Sequence, residues 1–264
     1  MSALLARLQY LLPKRLLSRL MQALAGSRTG WWKNLMIGTF CRLYPVALGE
    51  AERPDAHSYD SFGDFFTRAL APGARSFPGD PALLGWPCDG RLENFGAIQA
   101  GELIQAKGQS YRVAEFLGGN EAAAGALEGG WFATLYLAPH NYHRVHTPAT
   151  CRLKDRCDIG GELFSVSRTS SRFIPRLFAR NERCVMELQH ERCTLHLVMV
   201  GALLVSGIEI APETGSALRA GDELGRFNYG STVVLLFPPG CIAADADLRE
   251  GAEIRLGEAW GRWV

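Results

Sequence analysis

From Trp131 onward the chain repeatedly gathers a short apolar run and then breaks it with glycine or a charged turn. The runs are Trp131 to Leu137, Thr194 to Val200, Leu203 to Ile210, Thr232 to Phe237 and Ile254 to Leu256. Their brevity and their β-branched and aromatic residues suit buried strands better than helices. A β-rich domain is therefore predicted from about residue 80. With 264 residues, 47% of them hydrophobic, the chain can bury a substantial core.

The first 49 residues have a different texture. Leu16, Leu17, Leu20, Met21 and Leu24 fall at helical spacing within residues 14 to 25, with Pro13 placed to start the helix. After Gly26 to Gly30, a second pattern sets Trp32, Leu35, Met36, Phe40 and Leu43 on one face, led by Trp31. Residues 1 to 49 hold seven Lys or Arg and no Asp or Glu, while the remainder holds 21 basic and 27 acidic residues, a balance of −6. Basic amphipathic helices with aromatic residues suit a water–lipid boundary. The alternative is that their apolar faces pack on the core and leave a solvated basic face; both readings stay open at this level.

The expected fold class is α+β: a β-rich, barrel- or sandwich-like core over residues 50–264, preceded by membrane-facing amphipathic helices over residues 1–49. Further helices are expected over Val113 to Leu127 and from Ile174 to Arg180. Seven scattered cysteines lack zinc-site spacing or the density of a disulfide scaffold, and read as reduced thiols of a cytosolic compartment. Arg19 splits the apolar stretch that a secretory signal would need. The run from Cys193 to Ile208 is too short to span a bilayer comfortably.

The densest set of ionisable residues in an apolar setting is APHNYHRVHTP, Ala138 to Pro148, which carries three of the six histidines. Pro139 and Pro148 bracket it, it contains no carboxylate, and H-E-x-x-H is absent, so no metal site is expected. In an extended or turn conformation, His143 and His146 need not point the same way, which suits two separate acid–base tasks. A structural histidine is the competing reading for either one. Asp89 lies in the turn-like GWPCDG, and Ser231 follows Gly230 on the lip of FNYGSTVVLLF. Asp89, His146 and Ser231 form an Asp, His, Ser set in chain order, in which a carboxylate orients an imidazole that activates the serine oxygen. No G-x-S-x-G elbow accompanies it. A serine hydrolase with unprocessed Ser231 therefore stays open, as does plain turn chemistry.

Taken together, LQYLLPK from Leu8, SFGDFFTR from Ser61, PCDG from Pro87, QAKG from Gln105, YHRVH from Tyr142, LFARNER from Leu177, VGA from Val200 and GRFNYGSTV from Gly225 resemble the phosphatidylserine decarboxylase family of pyruvoyl-dependent proenzymes. The resemblance covers most of the chain. It implies self-cleavage between Gly230 and Ser231, giving a chain of residues 1–230 and a chain of residues 231–264. His146, held by Asp89, would be the base for that cleavage. Ser231 would become a covalent pyruvoyl cofactor that forms a Schiff base with phosphatidylserine and accepts the electrons released as CO2 departs. His143 would protonate the product carbanion or handle the substrate carboxylate.

The implied partners are phosphatidylserine in an anionic membrane and the two cleaved chains themselves, with a homo-oligomer left open and no nucleic acid. The implied location is the cytoplasmic face of the cell membrane, peripherally attached. A lipid-surface binding protein without catalysis is a further alternative. The chain departs from the family pattern at Tyr229, where leucine is usual, at Asn141, where an acid is frequent, in V-S-G-I at Val205 to Ile208, and in a short segment from Gly207 to Leu224.

Overall fold

The computed structural model describes residues 3–106, 109–203, 207–228 and 231–264. Three helices come first: α1 (Ala3–Leu8), α2 (Lys14–Gly26) and α3 (Gly30–Leu43). α4 (Phe62–Phe66) follows, capped by the Ser61 hydroxyl, and leads to β1 (Leu83–Gly85), β2 (Gly90–Ala97), β3 (Glu102–Ala106) and β4 (Gln109–Arg112). Short helices α5 (Val113–Phe116) and α6 (Glu121–Ala126) precede β5 (Trp131–Leu137), β6 (Arg144–His146) and β7 (Cys151–Ile159). Then come α7 (Arg168–Phe173), α8 (Leu177–Arg180), β8 (Arg183–Gln189), β9 (Thr194–Val200), β10 (Ile208–Ile210), β11 (Ala217–Leu218) and β12 (Glu223–Phe227). The last strands are β13 (Ser231–Phe237), β14 (Ile242–Ala244), β15 (Glu253–Ile254) and β16 (Ala259–Trp263).

The β-rich α+β class expected from the sequence is the one observed. Its main sheet has eight antiparallel strands in the order β11-β7-β8-β9-β13-β5-β2-β15, and it is open, with β11 and β15 at the two edges. β13 lies inside this sheet, pairing Ser231 with Leu137 of β5 and Thr232 with Val200 of β9. Both faces are covered. Val234 and Leu236 join one buried cluster with Phe62, Phe65 and Ile37, while Val233, Leu235 and Phe237 join another with Trp86 and Trp260. Burial on both faces explains why β5, β9 and β13 read as continuous apolar runs rather than alternating ones.

Three expectations need correction. The helix predicted over Val113 to Leu127 is two helices, because Gly118 and Gly119 take φ of 75° and 91° between them, where an L side chain is disfavoured. The helix predicted from Ile174 to Arg180 is also broken. Ile174 precedes Pro175 and is extended, and Arg176 is left-handed. Of the run predicted from Leu203 to Ile210, only Ile208–Ile210 is a strand among the described residues, residues 204–206 lying outside them.

The N-terminal helices turn their leucines outward. On α2 the buried residues are Lys14, Ser18 and Ala25, whereas Leu16, Leu20 and Leu24 are 65%, 55% and 39% exposed. Lys14 is turned in because it donates to the Gln9 carbonyl and pairs with Glu162 at 3.1 Å. Eleven of the fourteen exposed large apolar side chains among the described residues lie between Leu8 and Tyr44. α3 is divided: Ile37 is buried and Phe40 packs against the core, but Trp31, Leu35 and Leu43 are exposed. Among the described residues, no helix is long and apolar enough to cross a membrane.

Candidate active site

β6 pairs with β12, Val145 opposite Gly225 and Arg144 opposite Arg226. At the end of β12, the Phe227 N–H donates to the His143 carbonyl at 3.0 Å. Just beyond, Ser231 is in register with Leu137. The histidine loop, residues 138–142, and residues 228–230 therefore bridge the same two points of the fold. Tyr229 and Gly230 lie outside the described residues, as does the Ser231 side chain, but their chain anchors on both sides are fixed against the histidine segment.

The loop itself is a capped turn. Asn141 N–H donates to the Ala138 carbonyl at 2.9 Å, and its Oδ1 accepts from the Ala138 N–H at 2.7 Å. Asn141, singled out as a departure from the family pattern, thus serves as the turn's own cap.

His146 is half of a polar clasp. Its Nδ1 lies 2.7 Å from the Gly221 carbonyl and its Nε2 lies 3.0 Å from the Tyr142 hydroxyl. A carbonyl only accepts, so Nδ1 carries the proton and Nε2 presents the lone pair, to which Tyr142 donates. Burial lowers the His146 pKa and favours this neutral form.

Asp89 does not hold this imidazole directly. Its carboxylate accepts from Arg75 Nε at 3.1 Å and Nη2 at 2.6 Å, and from the Leu256 N–H at 2.8 Å. Asp89 still stands close, since its charge favours protonation of His146 and the Pro87 carbonyl accepts the His146 backbone N–H at 2.8 Å. Gly90, next to Asp89, lets β2 lie tightly against β5, as a Cβ there would meet the Tyr136 carbonyl oxygen at 2.5 Å. The pairing expected between Asp89 and His146 is thus replaced by a bidentate Arg75–Asp89 pair that extends through Glu50 to Arg255.

His143 is fully buried, its ring 4.1 Å from that of Phe66. Neither ring nitrogen has a well-formed hydrogen bond, although the Asn141 backbone lies close enough to favour its charged form weakly. Burial first, and the Arg68 charge second, push its pKa down to about 3. Arg68 is only 3% exposed and gives Nη2 to the His140 and Asn141 carbonyls at 2.9 and 3.3 Å. Among the described residues its Nε and Nη1 have no hydrogen-bond partner and no carboxylate pairs with it.

Two cavities flank Tyr136. One, of about 340 Å³, is apolar and runs from Met21 and Phe40 of the N-terminal helices to Phe62 and Phe66 of α4. The other, of about 630 Å³, includes Asn94, Gln105, Arg172 and Thr232 in its wall. Thr232 Oγ1, Asn94 Oδ1 and Gln105 Oε1 are buried without hydrogen-bond partners. The Thr232 hydroxyl can donate to a carbonyl group, and the Asn94 and Gln105 amide oxygens can accept from the N–H groups of a polar ligand in the same cavity. Among the described residues, no cluster of three or more His, Cys, Asp or Glu could hold a metal ion.

Reasoning from the sequence missed Arg75, Arg68 and Tyr142. Arg68 and Tyr142 fall within quoted motifs, SFGDFFTR and YHRVH, but only the fold shows that one is an unpaired buried cation and the other caps His146.

The model of the family described as phosphatidylserine decarboxylase matches residues 62–262, and a second family model, described as PSD, matches residues 4–45. The phosphatidylserine decarboxylase proenzyme of Xanthomonas axonopodis pv. citri (strain 306) is 45% identical over 278 residues, covering 98% of this chain and 99% of that protein. The protein of the same description from Ectopseudomonas mendocina (strain ymp) is 41% identical over 273 residues, covering 96% of each. With a family model matched over residues 62–262 and near full-length similarity to these proenzymes, the chain belongs to the phosphatidylserine decarboxylase family.

Proposed function

We propose that this protein is a self-processing decarboxylase that converts phosphatidylserine to phosphatidylethanolamine and CO2, working as a peripheral protein on an anionic membrane surface. The observation that carries this reading is that Phe227 bonds to His143 and Ser231 is in register with Leu137, so the chain on either side of residues 228–230 is anchored at the two ends of the loop that leads into His143 and His146.

In processing, the Ser231 oxygen attacks the Gly230 carbonyl, converting the amide into an ester. His146 Nε2 takes the hydroxyl proton, either after Tyr142 moves aside or through the Tyr142 hydroxyl. β-Elimination, which removes the α-proton of residue 231, then frees residues 1–230 as a carboxylate and leaves dehydroalanine, whose imine tautomer takes up one water and loses ammonia to leave a pyruvoyl carbonyl at residue 231. Asp89 contributes as a fixed negative charge, locked by Arg75, that stabilises the imidazolium formed on His146.

The pyruvoyl carbonyl supplies an electron sink for the amino-acid head group. Around it, the neutral His143 offers one N–H and one lone pair in a water-poor setting, suited to holding the substrate carboxylate or passing a proton to carbon. Arg68 offers the N–H groups of Nε and Nη1 to an anionic oxygen. The cavity from Met21 to Phe66 gives acyl chains a route between the outward leucines and the site. Arg7, Arg15, Arg19, Arg28 and Arg42 are exposed and would meet anionic head groups.

The hydrolase alternative uses the same His146 base and differs in leaving Ser231 uncut, so cleavage of the chain separates the two readings. CO2 release from serine-labelled phosphatidylserine vesicles tests the proposal. The unsubstituted protein is expected to release it and Ser231→Ala is not; equal release by both would contradict the reading.

A further inference from the structure

Cys193 and Cys241 are free, partly buried thiols, close enough for Cys241 to influence the ionisation of Cys193. The surrounding backbone holds them in place. His190 N–H donates to the Cys193 carbonyl at 2.9 Å and closes the β8–β9 turn, while Val264 N–H donates to the Cys241 carbonyl at 3.0 Å. Arg192 Nη1 donates to the Val264 carbonyl at 2.8 Å, and the His190 ring stacks on Trp263 with centroids 4.1 Å apart. The β8–β9 turn and the C-terminal strand are thus fastened together around the two sulfurs. Burial, with the neighbouring thiol, pushes the Cys193 pKa up, so the resting pair is protonated at that sulfur.

Cys193 belongs to residues 1–230 and Cys241 to residues 231–264. We propose that they form a redox-responsive dithiol, which a small-molecule disulfide oxidises to a cross-link between the two chains of the processed protein. The cross-link between chains rests on the self-processing reading; the dithiol itself does not.

The chemistry is thiol–disulfide exchange. One protein thiol, on losing its proton, attacks a sulfur of the small disulfide and displaces one small thiolate. The second protein thiol then attacks the mixed disulfide and displaces the other. One protein S–S bond forms, the reagent is reduced to two thiols, and those thiols take up the two protons. The contacts that fasten the β8–β9 turn to the C-terminal strand keep the two cysteines in neighbouring segments, from which the sulfurs must close to the bonded distance of about 2.05 Å. Cleavage leaves the fragment that carries the carbonyl held by strand pairing and packing alone; the disulfide restores a covalent tie.

The test uses the full-length protein, Ser231→Ala, Cys193→Ser and Cys241→Ser, each treated with oxidised glutathione, alkylated and digested without reductant. A peptide pair joining Cys193 to Cys241 is expected in the unsubstituted protein and in Ser231→Ala, absent from both serine variants and lost on reduction. On a non-reducing gel the oxidised unsubstituted protein is expected to run near the size of Ser231→Ala, and to separate into two fragments when reduced. Absence of the linked pair from both proteins, or glutathione on one cysteine without the link, would overturn the dithiol. A linked pair in an unsubstituted protein that stays uncut would leave the dithiol standing and sink the self-processing reading.

Discussion

Arg75 grips the Asp89 carboxylate through two hydrogen bonds, at 3.1 and 2.6 Å, while the His146 imidazole turns to the Gly221 carbonyl and the Tyr142 hydroxyl. Asp89 therefore acts on His146 by charge rather than by contact. Asp89→Asn is expected to slow self-cleavage less than His146→Ala, which removes the base and costs on the order of 10²–10⁴-fold. Equal losses in a timed gel assay of precursor disappearance would restore a direct contact.

The same pair is nearly buried, with side chains 9% and 11% exposed. Arg75→Met leaves the carboxylate without its partner and is expected to destabilise the fold by about 3 kcal/mol. Urea unfolding in the Ser231→Ala background, where the chain stays in one piece, reads this out; a change below about 1 kcal/mol would contradict the buried pairing.

Arg68 keeps two nitrogens unpaired in the interior, at a cost of about 1–3 kcal/mol for each. Such a cost is retained where a ligand needs the donors. Arg68→Met is expected to leave the urea midpoint equal or higher and to lower decarboxylation of phosphatidylserine by at least about tenfold, consistent with loss of a charged hydrogen bond. Full turnover in the variant would remove Arg68 from substrate handling.

His143 ties stability to pH. The unfolded chain takes up its imidazole proton near pH 6.5, whereas the folded chain does so only near 3. Unfolding thus binds a proton between those values, and stability is lost as pH falls from about 6.5 toward 3, by up to about 1.4 kcal/mol per pH unit from this residue. His143→Gln, again in the Ser231→Ala background, is expected to flatten that slope. An unchanged slope would mean that His143 is not held neutral.

The outward leucines of α2 predict where the protein meets lipid. Replacing Leu16, Leu20 and Leu24 by serine is expected to weaken binding to phosphatidylglycerol vesicles by at least about 100-fold, given about 1.5–3 kcal/mol for each leucine fully buried. The urea midpoint should hardly move, because these side chains do not pack inside. Sedimentation with vesicles would show retained binding if the stripe faces only water.

The sequence made some of this visible and hid the rest for physical reasons. Strands β5, β9 and β13 were legible because both faces of the main sheet are buried and the strands are accordingly apolar throughout. His143, His146, Asp89 and Ser231 stood out through chemistry and resemblance. Helical spacing revealed the leucine stripe of α2 but not its direction, which depends on Lys14 finding Glu162, 148 positions later. The Arg75 partner of Asp89 was equally hidden, since an ion pair across a fold leaves no local pattern. The breaks at Gly118-Gly119 and Pro175 were legible as residues, but frequent Ala and Glu outweighed the first.

Self-processing at Ser231 is the claim on which the account rests, and intact-mass measurement of the purified protein beside Ser231→Ala tests it most directly. The account predicts two masses for the unsubstituted protein, residues 1–230 and residues 231–264, the smaller bearing a carbonyl that reacts with a hydrazide, and one uncut mass for Ser231→Ala. An uncut, hydrazide-inert protein that still releases CO2 from phosphatidylserine would contradict it.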